Sequence, residues 1–346
     1  MSATELYDLL PDRGGPAQPL LTVRGLRKYF PVRGGILGRT QAMVQAVDGV
    51  SFEVRKGETL GIVGESGCGK STTARLAVGL IERDRGDIIF DGDALGDTLS
   101  LRELRRGIQM VFQDSYASLN PRLTIEESVA FGARVQGLSD PMGRAHGLLS
   151  RVGLDPARFA QRYPHELSGG QRQRVNIARA LAMSPRLVVL DEAVSALDKS
   201  VEAQVLNLLA DLRAEFGLTY IFISHDLNVV RYISDRVLVM YLGEVVEVAP
   251  VAAIWARQAH PYTRSLFSAM PSMDPDNRTL EPPLTGDPPN PIDPPGGCRF
   301  HTRCPFAATL CGRKAPALRP LDDGGHLAAC HLHDPASGHP KAGKIA

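Results

Sequence analysis

Eight residues, Gly64-Glu-Ser-Gly-Cys-Gly-Lys-Ser71, lie between a five-residue apolar run, Thr59–Val63, and a segment of helical character, Ser71–Ile81. They match the pattern G-x-x-x-x-G-K-[ST], and the order strand, glycine-rich loop, helix is the context that pattern requires. Gly64, Gly67 and Gly69 let backbone N–H groups curl around a compact anion. The helix N-terminus behind them adds unpaired amides and a favourable dipole for phosphate. Lys70 supplies a point charge for the β- and γ-phosphates, and Ser71 a hydroxyl for Mg²⁺. The competing reading is an ordinary glycine-rich turn, against which the flanking strand and helix weigh.

The rest of the chain supplies a sheet for this loop. Alternating apolar positions, Leu21/Val23 and Val50/Phe52/Val54, predict an antiparallel region over residues 20–54. Further strands are predicted at Ile88–Phe90, Ile108–Phe112, Leu187–Leu190 and Thr219–Ile223. Residues 119–168 turn mostly helical, and Arg172–Met183 reads as a helix. Val201, Val205, Leu208, Leu209 and Leu212 form one apolar helical stripe, which Gly217 ends. Arg236–Met240 and Val245–Val248 flank Leu242-Gly243 as a hairpin. Strands alternating with helices predict a mostly parallel α/β sheet, and such sheets bind ligands at the carboxyl ends of their strands.

Three chemical elements fall at those ends. The first is the loop itself. The second is Asp191-Glu192: Asp191 closes a buried run where a Mg²⁺ ligand is needed, and Glu192 is placed to polarise an attacking water. The third is His225, able to donate near a γ-phosphate. Gln113, after its own strand, can touch Mg²⁺ or the water. The bland alternatives are a solvated acidic strand end, a structural histidine and a surface glutamine. Ser168-Gly169-Gly170-Gln171 precede another helix and make a second anion site, or a simple helix cap. Two phosphate-binding helix ends in one chain suggest a composite site shared between subunits.

The charge balance of +1 argues against a nucleic-acid stripe. There is no run of 18 apolar residues and no apolar secretory core within residues 1–20. Of five cysteines, Cys68 sits in the glycine-rich loop and four follow a stretch with nine prolines over residues 271–296. Their spacing, Cys298-x5-Cys304-x6-Cys311-x18-Cys330, has no unique inorganic meaning. Four thiolates suit Zn²⁺ or an iron–sulfur cluster, His301, His326, His331 and His333 keep a mixed zinc site open, and free thiols also remain open.

From about Leu20 to Met270 the chain resembles the nucleotide-binding subunit of ATP-binding cassette (ABC) transporters. The loop, Gln113, Leu167-Ser-Gly-Gly-Gln171, Asp191-Glu192, Ser195-Ala-Leu-Asp198 and His225 stand in that family's order and spacing. The resemblance implies a RecA-like P-loop core, an antiparallel β-subdomain and an inserted helical subdomain, with a Cys-rich extension. It also implies head-to-tail dimers in which Ser168–Gln171 of one subunit cover ATP held by the other. It assigns Gly64, Glu65, Ser66, Gly67, Cys68, Gly69, Lys70, Ser71 and Thr72 to ATP. Ser71, Gln113 and Asp191 go to Mg²⁺, Glu192 is the base, His225 meets the γ-phosphate, and Asp198 couples the dimer. Gln113 is also the sensor facing the membrane partner. Phe30 is the aromatic that stacks on adenine, with Tyr29 its rival. Ala193 departs from the family, which usually has proline there.

A narrower resemblance, to di- and oligopeptide importer ATPases, rests on Ala46-Val-Asp-Gly-Val-Ser-Phe52, Phe112–Pro121, Tyr163-Pro-His-Glu166 and His260-Pro-Tyr262. It implies a paralogous ATPase partner, two membrane permease subunits, an external or periplasmic solute-binding protein and a place at the cytoplasmic membrane face. Gly297-Cys-Arg-Phe-His-Thr-Arg-Cys-Pro305 resembles the importers' C-terminal segment, where a [4Fe–4S] cluster is bound. That implies a structural cluster on Cys298, Cys304, Cys311 and Cys330, with zinc the alternative. The expected division is a tail over 1–19, the cassette over 20–260 with helices over 114–174, a proline-rich stretch over 261–297, a Cys-rich segment over 298–333 and a disordered tail over 334–346. The rival functions are a soluble ABC ATPase acting on nucleic acid or ribosomes, and an importer for nickel or glutathione.

Overall fold

The computed structural model describes residues 12–15, 17–34, 39–270 and 286–343. Most of the 1–19 tail, residues 271–285 of the proline-rich stretch and the last three residues lie outside the described residues. In chain order the strands are β1 (Leu21–Gly34), β2 (Arg39–Val54), β3 (Thr59–Val63), β4 (Arg85–Phe90), β5 (Asp93–Ala94) and β6 (Ile108–Val111). They continue with β7 (Leu187–Asp191), β8 (Thr219–Ile223), β9 (Arg236–Tyr241), β10 (Glu244–Pro250), β11 (Arg319–Pro320) and β12 (Leu327–Ala328).

Two sheets form. An antiparallel sheet has the order β2-β1-β4-β5, as the alternating pattern before residue 54 predicts. The larger sheet runs β11-β12-β10-β9-β3-β8-β7-β6. Its strands β6, β7, β8, β3 and β9 are parallel. Every residue of β3, β7 and β8 is buried, which is why they read as unbroken apolar runs: both faces are covered. β9 and β10 form the expected hairpin, with positive φ at Leu242 (43°) and Gly243 (81°), the backbone a tight two-residue turn demands.

Between β6 and β7 the chain is helical. Ile125–Val135 starts on a capping box of Thr124 and Glu127, and Pro141–Arg151 on the Asp140 cap. Val129, Ala130, Leu148 and Leu149 bury against Val175, Ala178 and Leu181 of the helix Gly169–Leu181. Full burial of each such leucine contributes roughly 1.5–3 kcal/mol.

Several strand ends shift by a few residues, the stretch expected from residue 261 opens with a helix, Pro261–Ser268, and three further differences have a clear cause. The helix after the glycine-rich loop spans Lys70–Ala77 and stops short of Ile81, because Gly79 (φ 67°) ends it and donates back to Leu76. The helix expected from Arg172 begins at Gly169, because Ser168 is its cap. Residues 334–343, expected to be disordered, are ordered. The Asp334 side chain caps the turn Pro335–Ser337, and Gly343 N donates to Leu332 O at 2.9 Å. Buried His339 has Nε2 3.0 Å from Phe306 O. The Cys-rich segment is also no appendage. β12 pairs with β10 (Glu247 with Ala328, Val248 with Leu327) and so extends the main sheet.

Candidate active site

The glycine-rich loop leaves the end of β3 and enters the helix Lys70–Ala77. Gly64 has φ 150°, and a Cβ there would lie 2.2 Å from the Met240 carbonyl oxygen. Gly69 has φ 102°, and its Cβ would lie 2.2 Å from Ala46 O. Backbone crowding therefore requires glycine at both positions. Ser66 and Gly67 form the exposed tip, Thr72 is half-buried, and Cys68 is buried, its thiol pushed up chiefly by burial. Buried Lys70 donates Nζ to Gly64 O (2.8 Å) and Glu65 O (2.9 Å). The ammonium thus sits inside the loop that its charge would serve.

Two strand ends meet this loop. The Ser71 hydroxyl donates to Asp191 Oδ1 at 2.8 Å. Asp191 is buried, which pushes its carboxyl above the usual range while the Ser71 bond opposes the shift. Glu192 carries φ 48°, uncommon for a side chain other than glycine. Its N–H donates to Ile223 O at 3.0 Å, and Ser195 N and Oγ both donate to Glu192 O at 3.2 and 2.9 Å. That turn aims the carboxylate out of the sheet edge. Gln113 Nε2 donates to Glu192 Oε2 at 2.8 Å, and Nδ1 of exposed His225 stands 3.6 Å from the same oxygen. Gln113, Glu192 and His225, 112 residues apart from first to last, therefore share one carboxylate.

Ser168 Oγ accepts from Gln171 N at 3.3 Å, and Gln171 Oε1 accepts from Ser168 N at 2.9 Å. Accepting through oxygen leaves the Ser168 hydroxyl hydrogen to donate outward. Gly169 and Gly170 form the first helical turn, where a Cβ on Gly170 would lie 2.4 Å from Val201 Cγ1. Exposed Asp198 caps Lys199–Phe216. The Val201 N–H (3.0 Å) and Ser200 hydroxyl (2.7 Å) hold its carboxyl below the usual range. Tyr29 ties its hydroxyl to Asp48 Oδ1 at 2.8 Å, whereas Phe30 is exposed with Lys28 Nζ 5.6 Å from its ring centre.

Cys298, Cys304, Cys311 and Cys330 all line one small cavity, walled by Phe300, Phe306 and Leu332. Burial pushes the Cys298 and Cys330 thiols up to about 12, with the other cysteines adding to the shift, and raises Cys304 as well. Among the described residues, no three His, Cys, Asp or Glu side chains are gathered as a bound metal ion would gather them.

Sequence reasoning did not find two residues that grip the loop from outside, nor a third, Arg299, that ties the turn between β9 and β10 to β2. The Tyr262 hydroxyl accepts from Glu65 N at 2.8 Å. Arg303 clamps the Glu65 carboxylate with both terminal nitrogens, at 2.9 and 3.1 Å. Arg299 bonds Leu242 O and Asp48. These contacts span 57 to 251 positions of sequence, so no local pattern announces them. The only signals were the motifs His260-Pro-Tyr262 and Gly297–Pro305, which carried resemblance without a contact.

Fold and site together define a P-loop ATPase of the cassette class. A family described as "ABC transporter" matches residues 47–195, and one described as "Oligopeptide/dipeptide transporter, C-terminal region" matches residues 246–311. The oligopeptide transport ATP-binding protein AppF of Bacillus subtilis is 47% identical over 328 residues, 91% of this chain and 98% of AppF. The glutathione import ATP-binding protein GsiA of Pectobacterium atrosepticum is 50% identical over 84% of this chain, which spans 48% of GsiA. Among solved structures, the dimeric ATP-binding cassette MJ0796 bound to ADP and Pi superposes with a TM-score of 0.58 at 30% identity, covering 67% of this chain and 98% of MJ0796. The chain belongs to the ATP-binding subunits of ABC importers of the oligopeptide/dipeptide transporter type and is an ATPase. Among the described residues, no helix is long and apolar enough to cross a membrane.

Proposed function

We propose that the chain hydrolyses MgATP to drive uptake of di- or oligopeptides through a separate membrane permease, paired with a paralogous ATPase. The observation that carries this reading is the meeting of Gln113, Glu192 and His225 beside the Ser71–Asp191 pair. Backbone amides of residues 67–72 and Lys70 bind the phosphates. Lys70 leaves its two carbonyl partners to do so. Phe30 stacks on adenine; its exposure supports it over the tethered Tyr29. Ser71 and Asp191 present a hydroxyl and a carboxylate 2.8 Å apart, which suits a hard cation, and Gln113 adds its amide. Mg²⁺ supplies charge neutralisation of the phosphates when bound. Glu192 orients the attacking water and takes its proton, and His225 donates to the γ-phosphate as charge grows there.

Ser168–Gln171 complete the site of the partner subunit, and Asp198 couples the two halves. An apolar groove beside Gln113, lined by Leu80, Met110, Phe112, Phe131 and Met183, takes the permease. Phe131 is 56% exposed there, which an isolated protein gains nothing by presenting. The subunit then works peripherally, at the cytoplasmic face, with a solute-binding protein delivering cargo from outside. Glutathione is itself a tripeptide, so GsiA leaves that cargo within the same chemical class.

The four cysteines line one cavity together with His260, His301, His331 and His339. His301, His331 and His339 each spend a ring nitrogen on a backbone carbonyl, which favours the four thiols as ligands and a [4Fe–4S] cluster over a mixed His/Cys zinc site. The cavity is about 20 Å³, so the cysteine side chains would have to move apart to hold a cluster. It would staple an extension whose own core is small.

Purification of the tagged chain from membranes tests the function. We expect one paralogous ATPase and two permease chains to accompany it, with ATP-dependent uptake of a labelled tripeptide into vesicles holding the complex. Recovery on nucleic acid or ribosomes, without permease, would overturn the reading.

A further inference from the structure

We propose that Arg303, beside the second cysteine of the extension, is a positioning residue for the phosphate loop: it sets ATP affinity by neutralising and holding Glu65. The inference rests on the loop's role as an ATP site, and not on what the cysteines bind.

The first arm of the loop is held from three sides. Arg303 makes a two-pronged pair with Glu65, at 2.9 and 3.1 Å, while its own side chain is only 6% exposed. Arg303 also donates to the Tyr241 hydroxyl at 3.3 Å. Tyr262 accepts the Glu65 N–H at 2.8 Å, and the Glu65 carbonyl receives Lys70 Nζ at 2.9 Å. Tyr241, Tyr262 and Phe300 pack together behind this arm, with ring centres 4.6 to 5.5 Å apart. Phe300 lies between the first two cysteines, so the wall behind the loop and the wall of the cysteine cavity share a residue.

The charge of Glu65 explains why an arginine belongs there. An acid within a loop that receives a triphosphate repels it, and repulsion grows in the low dielectric of a half-buried site. A guanidinium with a planar fork cancels that charge and fixes the arm in one position. A lysine cancels the charge without the fork. Removing Arg303 leaves Glu65 as an unpaired anion beside the phosphates and frees the arm that carries the Lys70 carbonyl partners.

ATP binding by the purified full chain, measured by calorimetric titration with MgATP, tests this, with thermal melting followed in parallel. We expect Arg303→Met to raise Kd about tenfold and Arg303→Lys about threefold. In a Glu65→Gln background, Arg303→Met should change Kd by less than twofold, since the charge it answers is gone. A role confined to folding would give equal losses in both backgrounds, which would overturn the proposal, as would unchanged affinity in Arg303→Met. If Arg303→Met does not fold, Arg303→Lys in the two backgrounds makes the same comparison. Absence of ATP binding by the unaltered chain would instead strike the ATP-site reading itself.

Discussion

The Ser71 hydroxyl lies 2.8 Å from Asp191 Oδ1, joining the start of one helix to the end of β7 across 120 positions of sequence. The pair holds a carboxylate and a hydroxyl where a phosphate-bound cation needs oxygen ligands. Asp191→Asn keeps the shape and removes the charge. Nucleotide binding without Mg²⁺ is expected to change less than threefold, while the tightening by Mg²⁺ disappears. Titrations with and without the metal measure this, and an intact Mg²⁺ effect would remove Asp191 from the cation site.

Ser168→Arg places a bulky cation at the helix cap assigned to the partner's nucleotide. The isolated chain should bind ATP as before, because Ser168 belongs to a different helix end from its own phosphate loop. Turnover by the assembled complex should fall more than tenfold. Unchanged turnover in the complex would argue against a site shared across the subunit seam.

The cysteine site has a direct assay. Protein purified without oxygen is expected to be brown, to absorb broadly near 400 nm and to hold about four irons per chain. Cys304→Ser and Cys330→Ser should each lose the iron. Stoichiometric zinc with no colour would contradict the cluster.

His260 gives the fold a pH dependence. It is fully buried, and burial lowers its pKa to about 4 against 6.5 when exposed; Glu247 opposes the shift and His333 adds to it. Above about pH 6.5 the ring is neutral in both folded and unfolded chains. Between pH 6.5 and 4 the unfolded chain takes up a proton that the folded chain refuses. Stability therefore falls through that window, by on the order of 3 kcal/mol for this group. Melting temperatures at pH 7.5 and 5 should drop more for the wild type than for His260→Asn. Equal drops would show that the ring does not carry the effect.

The order of strand, loop and helix was legible because local chemistry fixes it. Gly64 and Gly69 must be glycine where backbone crowds them, and β3, β7 and β8 must be apolar where helices cover one face and the antiparallel sheet, with the helix Lys70–Ala77, covers the other. Asp191, Glu192 and His225 were legible as strand ends, since parallel sheets gather such ends on one edge. The grip of Tyr262 and Arg303 on Glu65 was not, because contacts between distant segments leave no periodicity behind. Nor was the order of residues 334–343 legible. A glycine-, proline- and histidine-rich sequence reads as disordered until a partner such as Phe306 O is known for the His339 ring.

Glu192 is the residue on which the chemistry turns, and binding and turnover measured side by side on Glu192→Gln test it most directly. The amide keeps the size and the contact geometry with Gln113 and loses the base. ATP affinity within threefold of wild type, with hydrolysis by the assembled transporter reduced at least a hundredfold, is the predicted result. Hydrolysis at the wild-type rate would contradict the assignment of Glu192 as the base and the account of catalysis built on it.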